Sequence, residues 1–225
     1  MSKAIGVVLR SDRRACILQI RERGLQGHAE NMALHKVQTI RPYHGEGDLV
    51  RKIMNFIAFQ AAWFAAVLGA AYGMPWLGVA AVPAALALHL ALSPNGRPEL
   101  VLALAAAATG FVFDSVLVAS GSFSPIPYVF PVPFSSLWMV MLWVNLATTM
   151  NVSMGWLSGR YALAAVFGAI GGPLAYYSGA KLGAMTAMPG PAGLAAIGIA
   201  WAIAMPLLYR AAAGINVRYG GPGKV

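Results

Sequence analysis

Two ionisable side chains, Asp114 and His89, lie inside the apolar stretches of this sequence. Ionisable groups inside a membrane-spanning segment are costly, so they are the first place to look for chemistry. With a rise of about 1.5 Å per residue, Asp114 is predicted about 22 Å from the start of its helix at Glu99, and His89 about 5 Å from the end of its helix at Leu92. These different depths disfavour a proton relay between the two side chains.

Asp114 is predicted to lie at the depth of Tyr176 and Tyr177, within reach of the long side chain of Lys181. An ion pair between Asp114 and Lys181 would clamp the third predicted helix to the fifth. This interpretation is favoured because buried carboxylates are usually paired. The alternative is a carboxylate that binds a proton, a cation or an amine from the outer side.

Amide and hydroxyl side chains recur along the fourth apolar stretch. They are Asn145, Thr148, Thr149, Asn151 and Ser153. Their i,i+3 and i,i+4 spacing places most of them on one helix face, which predicts hydrogen bonds to a neighbouring helix or, alternatively, a polar lining for a solute path. His89 is expected to meet Asn151 or Ser153. A single histidine without further ligands at metal-binding spacing supports neither a metal site nor a haem site.

Motifs typical of catalysis are missing from the sequence. It contains no Walker loop, HExxH or CxxC pattern, and Cys16 is its single cysteine. An enzyme that acts on lipid needs a nucleophile, an acid and base pair or a metal cluster, whereas the apolar stretches offer one Asp and one His at different depths. The pattern therefore favours a protein that is not an enzyme and that uses no cofactor.

The elements that position these residues are predicted to be membrane-spanning helices. Hydrophobic residues make up 59% and charged residues 10% of the chain, and the mean hydropathy is +0.66. Soluble domains carry more charge, and a helix needs roughly 20 apolar residues to cross a bilayer. The sequence predicts an all-α integral membrane protein, a six-helix transmembrane bundle, with spans at about 53–73, 76–92, 99–119, 135–157, 161–181 and 191–209.

Basic residues set the predicted orientation, because Lys and Arg beside short loops stay on the cytoplasmic side. With the N-terminus inside, the inner segments hold fifteen Lys and Arg residues and the outer segments hold Lys181 alone. The partition predicts an N-in, C-in protein of the bacterial cytoplasmic (inner) membrane with a cytoplasmic tail at 210–225. The net charge of +9 is interpreted as a topology signal and not as a nucleic-acid surface.

Residues 1–52 hold ten Lys and Arg and five Asp and Glu, without a sustained helical or alternating pattern. One expectation is a basic, disordered cytoplasmic head that favours an anionic inner leaflet. The other is that the head is not translated and that the true start is Val50 or Met54.

Small residues and prolines give further expectations. Small residues recur at four-residue spacing, as in Ala164, Gly168 and Gly172, which predicts close helix packing and leaves a glycine-lined substrate path as the alternative.

The uncharged loop at 120–134 contains four prolines and several aromatic rings. It is expected to be stiff and to lie in the outer interface, as an anchor or as a lid over a cavity. The residues around Gly73 echo those around Gly183, a weak sign of an internal repeat.

Three stretches carry a family resemblance. They are Asn55-Phe56 through Phe59-Gln60 with Trp63-Phe64, Leu137-Trp138-Met139 through Trp143, and the run from Gly168 through Gly172-Pro173 to Tyr176-Tyr177 and Gly179. Across about 55–209 the chain resembles a bacterial family of small multi-pass inner-membrane proteins that is classified only as a domain of unknown function. The resemblance implies an inner-membrane location and a link to lipid metabolism, and it supplies no activity and no catalytic residue.

Three functions are compatible with the sequence. A non-enzymatic accessory protein of lipid or envelope physiology is favoured, because it needs only the packing surfaces that the chain has in abundance. The alternatives are a small-solute or lipid transporter, which would use Asp114 and the polar face of the fourth helix, and a membrane-embedded enzyme that modifies lipid. The expected partners are membrane lipids and other transmembrane helices, including a second copy of the chain.

Overall fold

The computed structural model describes residues 46–219. They form six α-helices: α1 (Glu46–Ala71), α2 (Trp76–Leu92), α3 (Gly96–Ala119), α4 (Leu137–Met150), α5 (Tyr161–Lys181) and α6 (Pro191–Tyr219). Two short strands, β1 (Ser124–Pro125) and β2 (Met185–Ala187), and a 3₁₀ turn at Gly155–Leu157 complete the fold. The predictions for the head before residue 46, with Cys16, and for the last six residues fall outside the described residues.

Helix α4 lies at the centre of the bundle, and eleven of its fourteen residues are buried. Helices α2 and α3 pack against α4, α3 also contacts α6, and α6 packs along α5. Helix α1 is attached to α4 by a hydrogen bond of 2.9 Å from Asn145 Nδ2 to the carbonyl oxygen of Phe59. The short central helix is therefore shielded by longer neighbours.

Helices α1, α3 and α5 end in the same way, with a glycine in the left-handed region. The φ angles are 75° at Gly73, 73° at Gly121 and 94° at Gly183. The amide after each glycine bonds to a carbonyl five residues back, as from Ala184 to Gly179 at 2.9 Å. This is the Schellman cap, which only glycine adopts without strain. The echo between the Gly73 and Gly183 stretches thus has a local cause, since both stretches terminate a helix.

Close approach between helices occurs where glycine leaves room for a neighbour. A Cβ at Gly168 would overlap the backbone of Trp201, and one at Gly172 would overlap the Trp201 indole. A Cβ at Gly110 would overlap the indole of Trp143. The stripe of Ala164, Gly168 and Gly172 therefore packs against α6, in agreement with the packing interpretation.

The loop between α3 and α4 is fastened to the end of α5, a feature that the all-helical prediction did not contain. Strand β1 pairs antiparallel with β2, with Ser124 opposite Ala187. The indole nitrogen of Trp138 donates to the carbonyl oxygen of Ile126 at 2.9 Å, and Phe123 is buried. These contacts hold the proline-rich loop across one end of the bundle.

Three predicted span boundaries differ from the observed helices by seven residues or more. Helix α1 begins seven residues before the predicted span, at Glu46, and α6 continues to Tyr219. The fourth helix ends at Met150 and not near residue 157, because the polar side chains that follow it bind neighbouring helices. Hydropathy records where apolar residues stop, whereas helix ends depend on these side-chain hydrogen bonds.

Three helices are long and apolar enough to cross a membrane: α1 from Asp48 onward, α3 and α6. Helices α2 and α4 are also apolar but shorter. Large aliphatic side chains stand exposed on the outside of the bundle, including Leu104, Val116, Ile170, Leu174, Ile199 and Leu207. A contiguous apolar exterior of this kind is typical of a protein in contact with lipid. The structure therefore indicates a membrane protein.

Candidate functional site

Asp114 lies in the middle of the protein, where three helices meet. Its side chain on α3 is fully buried. The Oδ2 atom accepts a hydrogen bond of 2.9 Å from the indole nitrogen of Trp143 on α4. The Oδ1 atom accepts a short hydrogen bond from the hydroxyl of Tyr176 on α5. One carboxyl group thus joins α3, α4 and α5.

The predicted ion pair between Asp114 and Lys181 is wrong. The ammonium nitrogen of Lys181 lies 5.5 Å from the ring centroid of Tyr177, and both residues are exposed. Lys181 follows Tyr177 by four residues and therefore shares its face of α5, while Tyr176 points about 100° away, toward the interior. Asp114 and Lys181 are close in depth along the bundle but lie on different sides of α5.

Aromatic rings extend the Asp114 site to α6 and to the loop. The indoles of Trp143 and Trp201 stack with centroids 4.5 Å apart. Tyr176 meets Trp201 edge-on at 6.3 Å and Phe123 edge-on at 4.9 Å. Such offset and edge-to-face pairs stabilise contacts beyond their buried area. The donors that hold Asp114 are therefore themselves held in place by packing.

A cavity of about 230 Å³ lies against this cluster, and we call it the central cavity. Helices α1, α4, α5 and α6 form its walls. Its apolar lining includes Phe56, Phe59, Trp63, Leu142, Leu146, Phe167, Met185, Trp201 and Met205, and the glycines of α5 lie among them. Asp114 and Tyr176 supply polar groups to this lining. Gly168 and Gly172, which the sequence offered for either role, pack on α6 and also form part of the cavity wall.

The central cavity combines apolar walls with the carboxyl group of Asp114, and this combination determines what it can bind. A carboxyl group has about four acceptor positions. Trp143 and Tyr176 occupy two of them and the Ser135 side chain lies close enough to interact with a third, which leaves room for one donor from a ligand. The indole nitrogen of Trp201 is buried and lies near the Tyr176 hydroxyl, without the geometry of a full hydrogen bond. The cavity therefore suits a molecule with an apolar body and one polar group that donates a hydrogen bond.

The polar side chains predicted for one face of α4 do not line the central cavity together. The hydroxyls of Thr148 and Thr149 donate to carbonyl oxygens of their own helix, each at 2.7 Å. Asn145 reaches the Phe59 carbonyl on α1. Asn145, Asn151 and Ser153 form the interhelical bonds expected of this face. The two threonines do not, since hydroxyls of threonine in a helix readily return to the preceding turn.

A second polar cluster surrounds Glu99, a residue that the sequence did not single out. The Nε2 atom of His89 lies 3.1 Å from Oε2 of Glu99, and the side-chain amide of Asn151 donates to Oε1 at 3.1 Å. Asn216 on α6 donates to Asn151 at 3.0 Å. His89 therefore meets Glu99 and not Asn151, and Ser153 binds Asn55 on α1 instead. The sequence signal that could have identified this cluster is the position of Glu99, an acidic residue in the first turn of a predicted span.

Comparisons with known proteins give one match. A family model described as a protein of unknown function (DUF2878) matches residues 52–207. No curated protein and no solved structure matches the chain. The matched range agrees with the stretch of about 55–209 that carries the resemblance in the sequence.

Tyr176 and Tyr177 allow the Asp114 hydrogen bond to be tested with a matched pair of variants. Tyr176→Phe removes a donor from a buried carboxyl group and is expected to lower the free energy of unfolding by about 1–3 kcal/mol. Tyr177→Phe removes an exposed hydroxyl and keeps the ring beside Lys181, so its change is expected to stay within about 0.5 kcal/mol. Thermal unfolding in detergent measures both. Equal destabilisation of the two variants contradicts the assignment.

Proposed function

This chain belongs to the DUF2878 family of proteins of unknown function, and we propose that it is a multi-pass protein of the bacterial cytoplasmic membrane that binds a lipid-like molecule without converting it. The observation that carries the proposal is the central cavity, whose apolar walls enclose the buried carboxyl group of Asp114. In this role the protein acts as a non-enzymatic accessory in lipid or envelope physiology.

The proposed topology has six crossings with both ends in the cytoplasm. The Glu99 cluster gathers the ends of α2, α4 and α6 with the start of α3, and we call this the basic end. Of the seven Lys and Arg residues between 48 and 219, five lie near helix ends at or next to it: Arg51, Lys52, Arg97, Arg160 and Arg218. Arg210 lies nine residues before the end of α6, and Lys181 lies at the opposite end of α5. The positive-inside rule then assigns the basic end to the cytoplasm.

The short helices are compatible with this topology. Helix α4 is only about 21 Å long, less than the hydrocarbon thickness of a bilayer. Because its residues are buried by neighbouring helices, the irregular backbone that follows it need not face lipid.

Access to the central cavity supports a ligand that comes from the bilayer. Phe56 on α1 and Phe167 on α5 line the cavity, and 52% and 46% of their surfaces are exposed. The rim of the cavity therefore lies on the outer surface of the bundle. In a membrane that surface faces acyl chains, so an apolar molecule can enter from the side without crossing water.

The lining residues favour binding over the two alternatives. The cavity lining within the described residues contains no Ser, Thr, Cys, Lys or His side chain, so a lipid-modifying reaction would have to rely on Asp114 and Tyr176 alone. The transporter alternative loses the polar face of α4, because Thr148 and Thr149 bind their own helix. The lining is therefore best suited to a fixed binding site with one hydrogen-bond acceptor group, the Asp114 carboxyl.

The orientation is tested by labelling two exposed positions in a chain whose native cysteine is replaced, Cys16→Ser. A membrane-impermeant maleimide added to intact cells is expected to label Val129→Cys, in the loop between α3 and α4, and to spare Ser158→Cys before α5. Permeabilised cells serve as the control and should label both. Labelling of Ser158→Cys alone in intact cells contradicts the N-in, C-in topology.

Ligand binding is tested by narrowing the central cavity. Gly171 lines the cavity and has no atom within 4 Å of a Cβ placed on it, so Gly171→Leu adds side-chain volume at the cavity lining without a clash at its Cβ. Native mass spectrometry of the purified chain with a long-chain primary alcohol measures the result. The variant is expected to bind the alcohol about tenfold more weakly. The methyl ether of the same alcohol, which lacks the donor, is also expected to bind more weakly to the wild type.

The matched control for this experiment is Gly214→Leu. Gly214 on α6 also has open space around a Cβ and does not line the cavity. Its substitution makes the same change in helix propensity and in side-chain volume. Alcohol binding should match the wild type in this variant. Equal binding by Gly171→Leu and Gly214→Leu overturns the proposed site.

A further inference from the structure

A second cavity of about 270 Å³ lies between the first turns of α1 and the last turns of α2, and we call it the α1–α2 groove. It is separate from the Asp114 cluster, although Phe59 borders both cavities. Arg51 and Asn55 on α1 and His89 on α2 are among its polar residues. The groove lies at the basic end, because His89 belongs to the Glu99 cluster.

Most polar groups along this groove already have partners inside the protein. The side-chain amide of Asn55 donates to the Thr148 carbonyl at 3.0 Å, and its oxygen accepts from Ser153 at 2.7 Å. His89 pairs with Glu99. Arg51 differs, because its guanidinium is exposed and forms no ion pair or hydrogen bond with any residue of the described chain. The groove therefore presents one unpaired cation.

The walls of the groove beside Arg51 are aliphatic. Met54 follows Arg51 on α1, and Leu88 and Leu92 face the groove from α2. These three side chains are 55%, 52% and 58% exposed. An exposed aliphatic wall leading away from a cation matches a molecule that has an anionic head and a hydrocarbon tail. Phosphate suits this head, because guanidinium binds its oxygens through two parallel hydrogen bonds.

We propose that the α1–α2 groove binds one anionic phospholipid of the cytoplasmic leaflet, with its phosphate on Arg51 and an acyl chain along Met54, Leu88 and Leu92. Anionic lipids concentrate in that leaflet and attract basic residues beside membrane helices. The groove differs from a general basic surface because the same cavity supplies both the cation and the apolar wall. The site is independent of the central cavity and of the ligand proposed there, and its assignment to the cytoplasmic leaflet rests on the proposed topology.

Native mass spectrometry of the purified full-length chain tests the proposal with phosphatidylglycerol and phosphatidylcholine of identical acyl chains. The wild type is expected to bind phosphatidylglycerol about tenfold more tightly than phosphatidylcholine, because the choline cation of phosphatidylcholine offsets the phosphate charge and is repelled by Arg51. Arg51→Gln is expected to abolish this preference, and Arg51→Lys to keep part of it. Because Arg51 is exposed, neither substitution removes packing on which folding depends.

Arg210→Gln is the matched control, since Arg210 is an exposed arginine of the basic end whose guanidinium lies over the ring of Tyr161 and outside the groove. Its preference for phosphatidylglycerol should equal that of the wild type. An unchanged preference in Arg51→Gln overturns the proposal, as does an equal loss in Arg51→Gln and Arg210→Gln. Displacement of phosphatidylglycerol by inorganic phosphate would show a site for free anion and also overturns it. Gly171→Leu should retain the preference, which separates this site from the central cavity.

Discussion

The buried carboxyl group of Asp114 is the constraint around which the described bundle is arranged. A carboxyl group removed from water must have its oxygen atoms satisfied by donors, or it costs several kcal/mol. Trp143 and Tyr176 supply these donors from two other helices. Each ring is in turn fixed by Trp201, through a stack with Trp143 and an edge contact with Tyr176. The need of one polar group thus determines how α3, α4, α5 and α6 meet.

The hydrogen-bond donors to Asp114 are neutral side chains, and they leave space beside the carboxyl group that an ion pair with lysine would fill. A lysine partner would fill the space beside Asp114 with its own stem and would close the site. An indole and a phenol approach from the sides, and the central cavity remains open between α1 and α5. Gly171 keeps that opening, because it places no side chain there. The same arrangement that satisfies Asp114 therefore leaves a binding site next to it.

Much of this structure follows from the sequence, and the failures have physical causes. Apolar length predicts the six helices because a chain in lipid must satisfy its backbone groups internally. Asp114 is recognisable because an isolated ionisable residue in a span needs a reason. The sequence indicates how deep a residue lies along the bundle but not which side of its helix it occupies. Depth alone favours Lys181 as the partner of Asp114, whereas the side of α5 that faces α3 carries Tyr176. Family membership was predicted correctly from short motifs that include Trp143 and Tyr176. The central cavity corresponds only to an alternative that the sequence left open, the glycine-lined path, since the space between helices depends on how their side chains pack and not on glycine spacing alone.

A structure of the chain in nanodiscs of native lipid, determined with a rigid antibody fragment, shows whether the central cavity holds a ligand. Elongated density is expected in the cavity, with its polar end about 3 Å from the Asp114 carboxyl group and its tail between α1 and α5. A cavity filled by the protein's own side chains, or a continuous column of water past Asp114 from one face of the membrane to the other, would contradict this expectation.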